Sequence, residues 1–215
     1  MQFTINDLQE LKHTQVLTQN DKMKKTSKKE NIRLYNFGIS AYKSHSTGKV
    51  TCPFAKDCIK FCYARKGSFI WSNTKKAYEK RYLLTKEPDL FKAKMTEAIK
   101  RRKATHIRIH DSGDFYNRDY ILQWFEIMRQ FEDVTFYAYT KSKMLFDEFD
   151  VLPANFILIY SLGSRFDNLI DTSIDRHSKI FESLEEMNKQ GYINASNNDL
   201  IAIDQTTNKI GLLIH

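Results

Sequence analysis

A chain of 215 residues, 41% hydrophobic and 13% aromatic, is long enough for one globular domain with a sizeable core and too apolar to be disordered. No apolar run reaches the roughly 20 residues of a membrane helix, and MQFTINDLQELKHTQ lacks a secretory pattern, so a cytoplasmic protein without membrane contact is expected. The net charge is +8, but the first 103 residues hold 24 lysines and arginines against 9 acids, and the remainder 10 against 17; this points to a cationic face for nucleic acid, or to solvated basic helix faces.

Residues 1–30 are polar, end in DKMKKTSKKE, and read as a basic N-terminal extension ordered only in part. Residues 31–215 read as a single α/β domain. LYNFGISAY, Leu34 to Tyr42, has the aromatic and β-branched content of a strand. HSTGKVT is turn-rich, and CPFAKDCIKFCYARKG is an irregular loop that carries every cysteine. Asn73 can cap a helix with Ala77, Tyr78, Tyr82 and Leu83 at helical spacing. Glu87-Pro88-Asp89 starts a second helix.

THIRIHDSGDF is then a strand running into a glycine turn, and Asn117 to Phe131 is an amphipathic helix. VTFYAYTKS is a strand and turn, LFDEFDVL a short helix, and FILIYSLGSR another strand and turn. Arg176 to Lys189 reads as a helix through Ile180, Phe181, Leu184 and Met187, and LIAIDQTTNKIGLLIH as two strands around a turn. Strands alternating with helices predict parallel βαβ units. The expected fold is α/β, a partial (βα) barrel or open parallel sheet with helices outside. In such folds ligands sit at the carboxyl ends of the strands, where the cysteine loop, HDSGD, YTKS and SLGSR all fall.

Cys52, Cys58 and Cys62 lie within eleven residues, spaced C-x5-C-x3-C. An odd, clustered set is a poor disulfide framework and a good metal site. Thiolates select zinc, copper(I) or iron–sulfur clusters. Structural zinc takes four protein ligands, so a zinc site would have to recruit a distant His110 or His45. A four-iron (4Fe–4S) cluster suits three cysteines in one loop and leaves one iron open to a small molecule.

The strand-end turns supply further candidates. In HIRIH, Ile107 and Ile109 face one way and His106, Arg108 and His110 the other. Arg108 then points into the barrel and needs a partner, for which Asp111 or Asp114 is available. His110 could donate to a cluster or act as an acid or base. Asp114 either ligates or caps the following helix. Lys141 and Ser142, then Ser161, Ser164 and Arg165, close successive strands and could hold a carboxylate or phosphate. Tyr137 and Tyr139 share a face and are candidates for the lumen or the core. Lys100 to Lys103 end a helix, where cations suit the dipole and could also meet a phosphate backbone.

The three-cysteine loop after the first strand, with an aromatic before the last cysteine, resembles the radical S-adenosylmethionine superfamily. That resemblance implies a four-iron cluster and S-adenosylmethionine as cofactors, with Ser112-Gly113-Asp114 where the superfamily holds the methionine amino group; the superfamily's usual cysteine spacing is C-x3-C-x2-C. A closer similarity is to the phage and plasmid family named for gene product eighty-eight. It is carried by CPFAKDCIKFCYARKG, by RIHDSGDF with Tyr120 and Trp124, and by FYAYTKS, over Asn31 to Arg165. Many members of that family carry further cysteines near the carboxyl terminus; this chain has none there, so one metal site is expected. Three functions follow as expectations: a small radical-S-adenosylmethionine-like enzyme using Asp114, Ser161 and Arg165; a non-enzymatic iron–sulfur protein that binds nucleic acid, with a structural or redox-sensing cluster; or a zinc-stapled protein.

Overall fold

In a computed structural model of the chain, which describes residues 10–204 and 206–214, seven strands form one all-parallel curled sheet, a half-barrel with helices alongside. The strands are β1 (Leu34–Phe37), β2 (His106–Ile109), β3 (Thr135–Thr140), β4 (Phe156–Ser161), β5 (His177–Phe181), β6 (Ile193–Asn194) and β7 (Lys209–Leu213). Their order is β1-β2-β3-β4-β5-β7-β6. The helices are α1 (Asp21–Glu30), α2 (Cys58–Phe61), α3 (Ser72–Leu84), α4 (Pro88–Arg102), α5 (Arg118–Gln130), α6 (Lys143–Phe146), α7 (Leu184–Lys189) and α8 (Leu200–Ile203). None of them is long and apolar enough to cross a membrane.

Side chains alternate across the sheet as the pleat requires. Phe37, Ile107, Ile109, Phe136 and Ala138 face outward and pack under α4 and α5 with Phe91, Trp124 and Phe125. Phe37, Phe91 and Trp124 form a triangle with ring centroids 5.2–5.4 Å apart. Full burial of each such side chain is worth about 1.5–3 kcal/mol. The inner face is a second, smaller cluster around Leu34, Tyr137, Ile159 and Ile210. Tyr137 and Tyr139 therefore lie on the lumen side, with Arg108 stacked 5.2 Å from the Tyr139 ring.

Three expectations change. Residues 10–30 are part of the domain. Leu11, Val16, Leu17 and Met23 are buried, and Thr18 pairs with Asn36 at the β1 edge. Helix α1 then crosses to the opposite edge, where Lys22 reaches Ser196 O at 2.9 Å and Asp199 at 3.3 Å. The segment thus spans the open side of the half-barrel, with Met23 packed on Leu34, Ala195 and Ile210. Residues 1–9 lie outside the described residues. Second, Arg176–Lys189 is strand β5 followed by α7. Ser183 caps that helix, its Oγ accepting from Glu186 N at 3.1 Å, which places the break in the middle of the apolar pattern. Third, LIAI is helix α8 rather than a strand. Four apolar residues fit either element, and here they pack Ala202 beneath the lumen cluster.

Candidate functional site

The cysteine loop docks on the carboxyl ends of β1, β2 and β4. Thr51 Oγ1 donates to Ser40 O at 2.6 Å beyond β1, and Asp114 N donates to Thr51 O at 3.1 Å beyond β2. Ala55 bridges Ser164, and the Lys56 and Asp57 amides both donate to Gly163 O beyond β4. Arg165 N returns a bond to Phe54 O at 2.9 Å, and its Nε donates to Ala55 O. Residues more than a hundred positions apart are thereby neighbours.

Two glycines make the close approach possible. A Cβ on Gly38 would stand 1.9 Å from Asp111 Oδ1, and one on Gly113 would stand 2.2 Å from Ile39. Gly113 also has φ +81°, a left-handed conformation that disfavours other residues.

All three cysteines are free thiols and partly buried. The Cys52 thiol is pushed up by burial first and by Asp114 next, against the Tyr42 amide that donates to its sulfur at 3.4 Å; Cys62 and Cys58 push it further. Burial raises the Cys58 thiol too, and Lys141 opposes it. The three sulfurs, Asp114 and Lys141 therefore act on one another electrostatically. Among the described residues, no three His, Cys, Asp or Glu side chains are grouped so as to hold a single metal ion.

The other expected site residues are here, but most are already engaged. Asp114 accepts from Thr140 Oγ1 at 2.6 Å, Lys141 N at 2.9 Å and Phe115 N at 2.8 Å. It ties the end of β2 to the end of β3. Burial raises its carboxyl, and those bonds oppose the rise. Lys141 Nζ donates to Ser161 Oγ, Ser161 O and Leu162 O at 2.9–3.1 Å, which locks β3 to β4. Ser112 O accepts from Ile39 N at 2.9 Å, and Ser112 also lines a cavity of about 270 Å³ beside the loop. Ser142 and Ser164 bond to backbone carbonyls.

His110 does not join them. The strand ends at Ile109, and His110 takes φ 65°, so its ring turns to the helix side instead of continuing the alternation. It packs 4.5 Å from the Phe115 ring, and its Nε2 pairs with Tyr120 Oη at 2.9 Å. Burial pushes it down to about 3, so it is a neutral core residue. Arg108 does face the lumen, but its partner is Asp199 at 3.3 Å, not Asp111 or Asp114.

Asp111, expected to pair with Arg108, has other partners beside this mouth. Asp111 receives Asn36 Nδ2 and Tyr78 Oη, and Tyr63 Oη donates to its carbonyl. Phe61 and Tyr63, which flank Cys62, line a cavity of about 470 Å³ that runs into the lumen past Asn36, Arg108 and Asp111. Asp111 lies within the HDSGD turn, so the sequence marked the acid but not its partners Asn36 and Tyr78.

A single-loop cysteine set on the strand ends of a parallel half-barrel defines a class of α/β protein with one candidate metal centre. The Gene product 88 family model matches residues 14–213, and the chain belongs to that family. The match extends beyond Asn31 to Arg165 at both ends. Relatives include the Gene 88 protein of Mycobacterium phage D29 and that of Mycobacterium phage L5, each 31% identical over 102 residues. The matched stretch covers 42% of this chain and 42% and 43% of those relatives, so the chain spans well under half of their length. No solved structure matches.

Proposed function

We propose that this protein holds an iron–sulfur cluster through Cys52, Cys58 and Cys62 at the mouth of the half-barrel, next to a small-molecule cavity. The observation that carries this reading is the placement of three thiols in one loop, docked on three strand ends, with the residues flanking Cys62 forming part of the cavity wall. A single zinc ion draws its thiolates to within about 3.8 Å of one another, from a Zn–S bond of about 2.3 Å in a tetrahedron. Such a site also needs a fourth donor, and His110, one of the two candidates, is turned into the core against Phe115 and Tyr120. When bound, the cluster would supply electron transfer and one iron open to a small molecule. Lys141, which acts on the Cys58 sulfur, offsets negative charge there.

S-adenosylmethionine is the first small molecule to test, from the resemblance. The groups expected to hold it are already engaged, Asp114 with the end of β3, Ser161 with Lys141 and Arg165 with Ala55 O, so the lumen cavity is the better place for a ligand than the turns themselves. Anaerobic purification of Cys52→Ser, Cys58→Ser and Cys62→Ser tests the reading. Each should lose iron and visible colour, since a site of three thiolates tolerates no loss. Variants that keep wild-type iron would overturn it.

A second reading has its own observation. Helices α1 and α4 run into β1 and β2, so their basic ends, Lys28, Lys29 and Arg33 with Arg101, Arg102 and Lys103, are exposed at the amino end of the sheet, opposite the cysteines. Thr105 N donates to Arg33 O at 3.0 Å and joins the two ends. A nucleic-acid surface at one end and a structural or redox-sensing cluster at the other would also account for the architecture.

A further inference from the structure

The lumen beneath the mouth contains charge that the fold itself leaves incompletely satisfied. Arg108 lines the cavity of about 470 Å³. It donates from Nη1 to Asp199 Oδ1 at 3.3 Å, and its buried Nε has no partner. Lys22 Nζ comes to the same Asp199 oxygen, also at 3.3 Å, so one carboxylate faces two cations. Asp111, the acid on the wall, already has one oxygen taken by Asn36 and Tyr78. Leaving a buried donor such as Arg108 Nε unsatisfied is costly, and native structures rarely keep one without a ligand or water to pair it. The wall also holds apolar side chains. Phe61 and Phe69 stand on the cysteine-loop side, and Leu212 and Ile214 on the side of β7.

We propose that this cavity binds a small organic anion, its anionic head on Arg108 with the charge of Lys22 behind it, and its flat apolar body between Phe61 and Phe69 on one side and Leu212 and Ile214 on the other. The size fits the proposal, since small-molecule pockets run from about 300 to 1,000 Å³ and are apolar with a few placed polar groups. Guanidinium is the cation best suited to a planar anion because its N–H groups form a fixed fork. The proposal rests on the reading of the mouth as a small-molecule site, and it does not depend on which metal centre the cysteines hold.

The test uses a charged dye and its uncharged parent. Anilinonaphthalenesulfonate and phenylnaphthylamine share a flat aromatic body and differ in the anionic head. Fluorescence titration of the anaerobically purified full chain should show one saturable site, with the sulfonate bound at least about tenfold tighter, which corresponds to about 1.4 kcal/mol. Arg108→Gln should remove that difference and leave the neutral dye unchanged. Asp199→Asn should tighten the sulfonate, because it leaves two cations without their carboxylate, an effect that a purely structural role for the pair does not give. Should Arg108→Gln fail to fold, Lys22→Gln/Arg108→Gln/Asp199→Asn removes both cations together with their carboxylate and should also abolish charge selectivity. Leu212→Trp, which fills the apolar side, should block both dyes. Equal affinity for the two dyes, or sulfonate affinity unchanged in Arg108→Gln, would overturn the proposal. The same titration on Cys62→Ser separates the two readings. Charge-selective binding in protein that carries no iron supports the anion site by itself, and iron-loaded wild type without charge selectivity overturns the anion site alone.

Discussion

Lys22, on the N-terminal helix, and Asp199, just before α8, meet at 3.3 Å across the open side of the half-barrel. The Asp199 carboxylate is buried, while the Lys22 side chain is 30% exposed. This contact joins the two edges of the sheet, and Met23 beside it seals the lumen.

The N-terminal segment should therefore be needed for stability. Met23→Ala should lower the unfolding free energy by about 2–5 kcal/mol, the cost of an emptied core site. Urea unfolding followed by circular dichroism measures it. A change within about 0.5 kcal/mol, as at a free surface, would mean that the segment does not close the sheet.

Glu79 organises the loop that leads to the cysteines. Its buried carboxylate accepts from the hydroxyls of Ser40, Ser44 and Ser46 and from the His45 amide. Burial pushes its carboxyl up, but those hydrogen bonds together outweigh burial and hold it below the ordinary value of 4.5. A carboxyl depressed in the folded state binds its proton more weakly there than in the unfolded chain. Its contribution is fully present above the ordinary value and is lost as pH falls toward the folded value. Glu79→Gln should lower stability at neutral pH by about 1.5–3 kcal/mol and flatten the acid limb of the stability–pH curve. A variant that loses stability equally at every pH would contradict this role.

Asp114 is expected to act through position. Asp114→Asn puts an amide where Lys141 N–H and Thr140 O–H both donate. The loss should be about 1–3 kcal/mol in stability, with iron content per folded molecule unchanged. Loss of iron from a variant that is folded and stable would make Asp114 a ligand instead.

Much of this was legible because the signals were local. Ile107 and Ile109 alternate with Arg108, so β2 and the inward guanidinium could be read directly, and Glu87-Pro88-Asp89 marked the start of α4. The parallel half-barrel followed from alternating strands and helices. What escaped depends on contacts remote in sequence or on one backbone angle. Arg108 and Asp199 are 91 residues apart. His110 left the strand's alternation through a φ of 65° that HIRIHD does not announce. Met23 is a lone apolar side chain among lysines, so a helix docked mainly through that one side chain looked like a tail. Ser183 followed by Glu186 was the readable sign that the helix begins there, but Ile180 and Phe181 matched helical spacing with Leu184 and Met187 as well as they matched a strand.

The basic end of the sheet makes a separate prediction. If it binds nucleic acid, affinity should fall steeply with salt as counterion release is suppressed, and replacing Lys100, Arg101, Arg102 and Lys103 by alanine should weaken binding and flatten that slope. Absence of binding at low salt would leave these side chains as solvated helix ends.

The central claim is the cluster, and metal and sulfide analysis of anaerobically purified wild-type protein tests it most directly. The account predicts a coloured protein with iron and acid-labile sulfide in equal amounts, about four of each per chain for a cluster of the four-iron type. A colourless protein that carries zinc, without iron or sulfide, would contradict it.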